Sequence, residues 1–248
     1  MIAVERERER DTQVFGMWVF LATELMLFGG LFTAYAVYRT VYPEGFAEGS
    51  RHLDLVYGAI NTVVLITSSV TMSLAVQNRH SRLWLLVTAA LGLVFMGIKG
   101  AEYYKHYVEG MAPGLAWTYV APDAAQVQLF FLAYFGLTGL HSLHLTIGIV
   151  LVLIAAVVRA KSIGVELISL YWHFVDMVWI FLVAMLYLQS TVALGLAAVA
   201  AALIAVFPMR LRVSPPLTRI VGVAALVWLA ILLLGTLDDV LTRGWLRL

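Results

Sequence analysis

Apolar residues in this chain gather into long runs separated by short polar breaks. The runs cover residues 13–39, 54–77, 82–104, 125–158, 165–188, 192–208 and 217–236. About 20 apolar residues in helical conformation cross the hydrocarbon of a bilayer. The pattern therefore predicts an all-α, polytopic membrane bundle of about seven transmembrane helices. A β-barrel would alternate apolar and polar positions, which these runs do not. The separating breaks are "YPEGFAEGS", "QNRHSR", "YVEGMAPGLAWTYVAPDAA", "RAKS", "QST" and "PMRLRVSPPLTR", the last with basic residues and a Pro pair. The third is the longest connector, and its Pro, Gly and aromatic content suits a loop at the membrane interface.

Composition narrows the class further. Hydrophobic residues make up 62% and charged residues 12% of 248, with a mean hydropathy of +0.91. That is far less charge than a soluble core of this length requires, and a net charge of +1 gives no argument for nucleic acid. The absence of cysteine removes disulfides, thiolate metal sites, iron–sulfur clusters and thiol nucleophiles. The start, "MIAVERERERDT", alternates in charge and lacks the positive opening of a signal peptide. Residues 1–12 read as a solvated, self-neutralising lead-in, with Asp11 and Thr12 offering N-cap oxygens to the first helix. Lys and Arg fix an expected orientation. With the N-terminus cytoplasmic, ten basic residues fall in inside segments and five in outside segments. No internal repeat of the inverted-transporter kind is visible. The last two runs are rich in Ala, Leu and Val, so residues 191–248 read as a separate two-helix appendage to a bundle spanning 13–190.

Ionisable residues inside the runs are the candidate functional groups. They are Glu24 in the first run, His141 and His144 in the fourth, and His173 and Asp176 in the fifth, with Lys99 and Glu102 nearer the outer end of the third. At about 1.5 Å per residue, Glu24 and Asp176 each lie roughly 16 Å, and His144 roughly 21 Å, from the inner ends of their helices. One polar layer near the midplane is therefore expected, whose members satisfy one another. Tyr171, Trp172, Trp179 and Tyr187 are available as hydrogen-bond partners for His173 and Asp176. A hydrogen-bond lattice holding the bundle together, a lipid- or proton-related role, and metal or haem ligation all fit His173 and Asp176. Ligation is the weakest, because a di-iron bundle needs several inward Glu residues. Small polar residues along "INTVVLITSSVTMSLA", including the amide Asn61 and the hydroxyls Thr62, Ser68 and Ser69, suit close helix packing. Lys99 is expected either to pair with Glu102 or to snorkel outward.

At these positions the chain resembles subunit III of the haem–copper respiratory oxidases. "WVFLATELMLFGGLF" fits the family's Trp-x-Phe opening with a buried Glu, at Trp18, Phe20 and Glu24. Asn61 and Thr62 with Ser68 and Ser69, the Glu102–Tyr103 pair, Gly139 with His141 and His144, and "YWHFVDMVW" (Tyr171 to Trp179) follow in family order over about 175 residues. The resemblance implies a bundle with a phospholipid-filled, V-shaped cleft and no haem or copper of its own. It also implies packing against catalytic subunit I in a complex with subunit II, stabilisation of subunit I during turnover, and support of proton uptake. The family's carbodiimide-reactive Glu, close to bound lipid, falls at Glu24. Glu24, His141 and His144 are thus expected to be lipid- or proton-related. Asn61, Glu102, Trp172, His173, Asp176 and Trp179 are expected to form a structural polar network. No catalytic residue and no metal ligand is expected. The chain starts at the first matching helix, as in the family's five-helix bacterial form. Lys99 replaces a usual Gln, and the Gly-Ser entry to the fourth helix is missing. Residues 191–248 have no subunit III counterpart; a fused, shortened subunit IV is one identity for them, and a subunit IV or supercomplex partner would complete the assembly. An accessory subunit of a nitric oxide reductase, or an independent transporter, are the competing functions.

Overall fold

The computed structural model describes residues 2–77, 81–158 and 162–188. Five of its helices are long and apolar enough to span a membrane, matching the first five runs of the sequence. They are α1 (Ile2–Val41), α3 (Leu55–Gln77), α4 (Ser81–Val108), α5 (Ala124–Val158) and α6 (Ser162–Val183), the last extended by a π-helical turn, Ala184–Leu188. The runs expected at 192–208 and 217–236 lie outside the described residues.

Two segments depart from the sequence expectation. The lead-in is helical from Ile2, so Asp11 and Thr12 sit within α1 and cap nothing. The Thr12 hydroxyl instead donates to the Arg8 carbonyl at 2.9 Å, a back-bond typical of a helix interior. Glu and Arg are strong helix formers, which is why the charged stretch propagates the helix. Nor is the lead-in wholly solvated, because Arg10 Nη2 donates to both carboxylate oxygens of Glu166 on α6, at 2.8 and 2.9 Å. The first connector is likewise a helix, α2 (Pro43–Arg51), with Pro43 and Glu44 in its first turn. Proline's fixed φ and an acidic residue near the positive end of the helix dipole favour that start. Phe46 of α2 is buried against Tyr35 and Phe130, with ring centroids 5.3 and 5.7 Å away. At Gly49 a Cβ would collide with the Phe130 ring, so this glycine lets α2 lie directly on α5.

The long connector carries a small antiparallel pairing of β1 (Met111–Ala112) with β2 (Ala116–Trp117). Gly110 and Gly114 adopt φ of 72° and 77°, a region that L-residues with a Cβ avoid. The bundle's axis is α6. Of its best apolar window 83% is buried, against 33–39% for the other four spanning helices. It is flanked by α1, α3 and α5, while α4 packs on α3 and α5. Its two buried indoles reach across to α4. A Cβ at Gly92 of α4 would stand 2.9 Å from Trp172, and one at Gly148 of α5 would stand 3.2 Å from it. Two glycines thus open the slot for the indole, and the edge of Phe95 meets Trp179 at 4.7 Å between centroids.

Candidate functional site

The ionisable residues do not form one layer. They form three clusters, each set by a different helix contact.

The first lies where α1, α5 and α6 meet. His144 Nε2 is 3.0 Å from Glu24 Oε2, so these two satisfy each other as the depth argument expects. His144 Nδ1 reaches the Leu140 carbonyl one turn back at 2.9 Å, and Tyr171 of α6 donates to the His144 carbonyl at 3.0 Å. The edge of Phe28 closes the histidine's other side at 5.2 Å. The pair is partly open, with side-chain exposures of 17% for Glu24 and 11% for His144. His141 does not share this flank. Three residues along a helix leave a 60° angular offset, which turns His141 into the core, its ring 5.3 Å from Trp179 and 5.7 Å from Phe95. Neither of its ring nitrogens has a hydrogen-bond partner among the described residues.

The second cluster is the seam between α3 and α6, where hydroxyls of α3 take up the polar groups of α6. Trp172 Nε1 donates to Ser68 Oγ at 3.0 Å, and Trp179 Nε1 donates to Thr62 Oγ1 at 3.2 Å. His173 Nδ1 lies 2.8 Å from Ser69 Oγ, and its Nε2 lies 3.4 Å from Ser73 Oγ. The tryptophans and tyrosines expected to serve His173 and Asp176 are therefore engaged elsewhere. Asp176 stands 3.9 Å from His173 Nδ1, beyond hydrogen-bond distance. Neither of its carboxylate oxygens has a hydrogen-bond partner among the described residues, and Asp176 does not join Glu24 or His144. Asn61, expected in the network, is buried with both amide atoms unpartnered among the described residues. The register of α3 puts Thr62 opposite the Trp179 indole in its place.

The third cluster centres on Lys99, which does not snorkel. Its Nζ donates to Glu102 Oε2 at 2.9 Å, to Tyr134 Oη at 2.9 Å and to Tyr187 Oη at 2.8 Å. Tyr187 in turn donates to Glu102 Oε1 at 2.6 Å. The rings of Tyr103, Tyr134 and Trp179 lie around the ammonium with centroids 4.5–5.3 Å away, a cation–π cage that the Tyr187 hydroxyl closes. Side-chain exposure is 2% for Lys99 and 0% for Glu102. The π-turn brings Tyr187 into this cage, and Tyr35 of α1 ties the same turn down by donating to the Met185 carbonyl at 3.0 Å. Sequence reasoning placed Lys99 beside Glu102 by their spacing. Tyr134 carried no local signal, because it meets Lys99 across 35 residues of chain.

Among the described residues, no group of three or more His, Asp or Glu side chains gathers as a metal site would. The clusters pair or enclose ionisable groups between helices. The fold and these clusters define a multi-pass membrane bundle whose ionisable groups are paired or enclosed between helices. The profile of one family, described as cytochrome c oxidase subunit III, matches residues 8–191. Similar curated proteins include cytochrome c oxidase subunit 3 of Synechocystis sp., 35% identical over 72% of this chain and 76% of that one. Cytochrome c oxidase subunit 3 of Thermostichus vulcanus is 34% identical over 76% and 94%. Cytochrome bo(3) ubiquinol oxidase subunit 3 of Pseudomonas aeruginosa is 31% identical over 71% and 85%. The chain belongs to the cytochrome c oxidase subunit III family, the third subunit of haem–copper oxidases.

Proposed function

We propose that the chain is the non-catalytic third subunit of a proton-pumping terminal oxidase in a bacterial cytoplasmic membrane. In this reading it has seven spans with its N-terminus in the cytoplasm. Haem and copper reside in partner subunits I and II, and this chain steadies subunit I while oxygen is reduced to water. In the same reading residues 191–248 are a two-helix appendage that serves as a fused, shortened subunit IV. The family match supports the reading because it runs through all five described spans and includes Glu24 and His144. Relatives with similar identity are named for cytochrome c and for ubiquinol oxidases. We infer that the electron donor is selected elsewhere in the complex. Phospholipid is held against the α1–α5 flank, where Glu24 and His144 are partly open and can meet a polar headgroup.

The test is a reduced-minus-oxidised visible spectrum of material purified in mild detergent through a tag on this chain, beside the chain expressed alone. An a- or o-type haem signal that arrives with large partner subunits, and is missing from the lone chain, is the expected result. Haem on the lone chain, or a b-type signal without an oxidase partner, would overturn the reading.

A further inference from the structure

One face of α4 carries a titratable ladder that extends beyond the Lys99 cage. Lys99, Glu102, His106 and Glu109 stand at i, i+3, i+7 and i+10, a spacing that aligns them along one side of a helix. Glu109 lies just beyond α4 but continues its turn, since its N–H bonds the Lys105 carbonyl at 2.9 Å. The first three are buried, with relative exposures of 1%, 0% and 0%. The Glu109 side chain is 39% exposed. The ladder thus runs from the Lys99 cage to the surface near the β1–β2 hairpin.

His106 is the rung that packing alone does not explain. It sits in a box of Phe131, Tyr134 and Phe135, with centroids 5.4, 5.6 and 6.5 Å away. A phenylalanine would fill that box without burying polar atoms. His106 instead buries two ring nitrogens that have no hydrogen-bond partner among the described residues. Its Nδ1 lies 3.5 Å from Glu109 Oε2. On its other side it shares Tyr134 with the cage, because Tyr134 Oη accepts from Lys99. The charged groups acting on His106 are Lys99, Glu102, Lys105 and Glu109, and Tyr134 is the titratable group facing it from α5. Lys105 leans away toward Asp54, 3.5 Å from it.

We propose that Glu102 is a buried proton-binding site, filled from the surface by way of Glu109 and His106. A proton from water enters on the Glu109 carboxylate and passes to His106 Nδ1. His106 releases its other ring proton, from Nε2, to the Glu102 carboxylate one turn back along α4; no hydrogen bond joins the two at rest, so the imidazole rotates to deliver it. Glu102 becomes a neutral carboxylic acid, and the cluster gains one positive charge. The cage is built to tolerate that charge. With Glu102 protonated, Lys99 keeps two phenol oxygens as acceptors and the rings of Tyr103, Tyr134 and Trp179 near its ammonium.

The test is infrared difference spectroscopy on the complete complex carrying the full chain, following the C=O stretch of a buried carboxylic acid. The band is expected to grow on acidification and to vanish in Glu102→Gln. If Glu102→Gln does not assemble, Tyr187→Phe makes the assignment: it keeps the ring, removes the 2.6 Å bond to Oε1 and shifts the band. In His106→Phe the final band amplitude is retained, but its hydrogen–deuterium exchange slows about a hundredfold, the scale of losing a positioned proton carrier. Glu109→Gln slows it less. A band that does not grow on acidification, one that ignores both Glu102→Gln and Tyr187→Phe, or exchange as fast in His106→Phe as in the parent, would each overturn the proposal.

Discussion

The Lys99–Glu102 and Glu24–His144 pairs both place a carboxylate beside a base within a membrane bundle, yet they are built differently. Glu102 has all of its surroundings supplied by protein: one oxygen accepts from Lys99, the other from Tyr187, and the ammonium finds two further acceptors. Glu24 has one bond, to His144, and a partly open flank. The contrast follows from solvation. A charge removed from water must be paired and fully hydrogen-bonded, whereas one at the bundle's edge can leave some of its demand to headgroups or water. A closed cluster therefore holds helices together, and an open pair remains free to meet something else.

The sharpest test of that contrast is Lys99→Met. It strands Glu102 inside the bundle with Tyr187 as its remaining donor, and is expected to cost about 3–5 kcal/mol. Loss of assembled complex, measured by its yield and its thermal midpoint in detergent, is the readout. The double variant Lys99→Met/Glu102→Leu should regain most of that stability, since an apolar replacement removes both charges together. A double variant as weak as the single one would show that the cluster does more than satisfy its own burial.

His173 separates the effect of charge from that of burial. It is as deeply placed as Lys99, but its bond to Ser69 joins an imidazole to a hydroxyl. His173→Phe should cost about 1–2 kcal/mol, the scale of one buried hydrogen bond lost with its partner left behind. Thermal unfolding of the purified complex measures it. A loss equal to that of Lys99→Met would mean that depth rather than charge sets the cost.

The open pair should respond in function more than in stability. Glu24→Gln keeps an amide in reach of His144 and is expected to change stability by no more than about 1 kcal/mol. The oxidase is expected to lose activity sooner during turnover, measured as oxygen consumption over successive catalytic cycles. An unchanged active lifetime would remove Glu24 from the lipid- and proton-related role, and with it the functional half of the contrast.

How much of this could be read from the residues depends on how far each interaction reaches along the chain. The five described spans were legible because an apolar run long enough to cross a bilayer is a local property. Lys99 with Glu102, and His173 with Asp176, were legible as pairs through their i,i+3 spacing. The short α2 was missed, although Pro43 and Glu44 gave a helix-start signal, because the stretch was read only as a separator between two spans. The partners of the buried groups were not legible. Trp172 meets Ser68 across 104 residues, and Tyr187 meets Glu102 across 85. No periodicity chooses between Thr62 and Asn61 as the acceptor facing Trp179; only the docking of α3 on α6 does. For the same reason His141 and His144, neighbours in one motif, divide between the core and the flank.

Arg10 and Glu166 extend the comparison to the least buried end, and carry the smallest expected effect. Their contact is bidentate at 2.8 and 2.9 Å, as good in geometry as the bonds of the Lys99 cage. The Arg10 side chain, however, is 53% exposed. Water and salt screen such a pair, and holding a long side chain still offsets much of its attraction. Arg10→Ala is therefore expected to lower stability by about 0.2–1 kcal/mol, with the difference shrinking as salt is added. Thermal midpoints of the purified complex at low and high ionic strength measure both. A loss approaching that of Lys99→Met, and insensitive to salt, would show that the α1 extension is enclosed in the assembled complex. The order of effects would then follow burial in the assembly rather than in this chain alone.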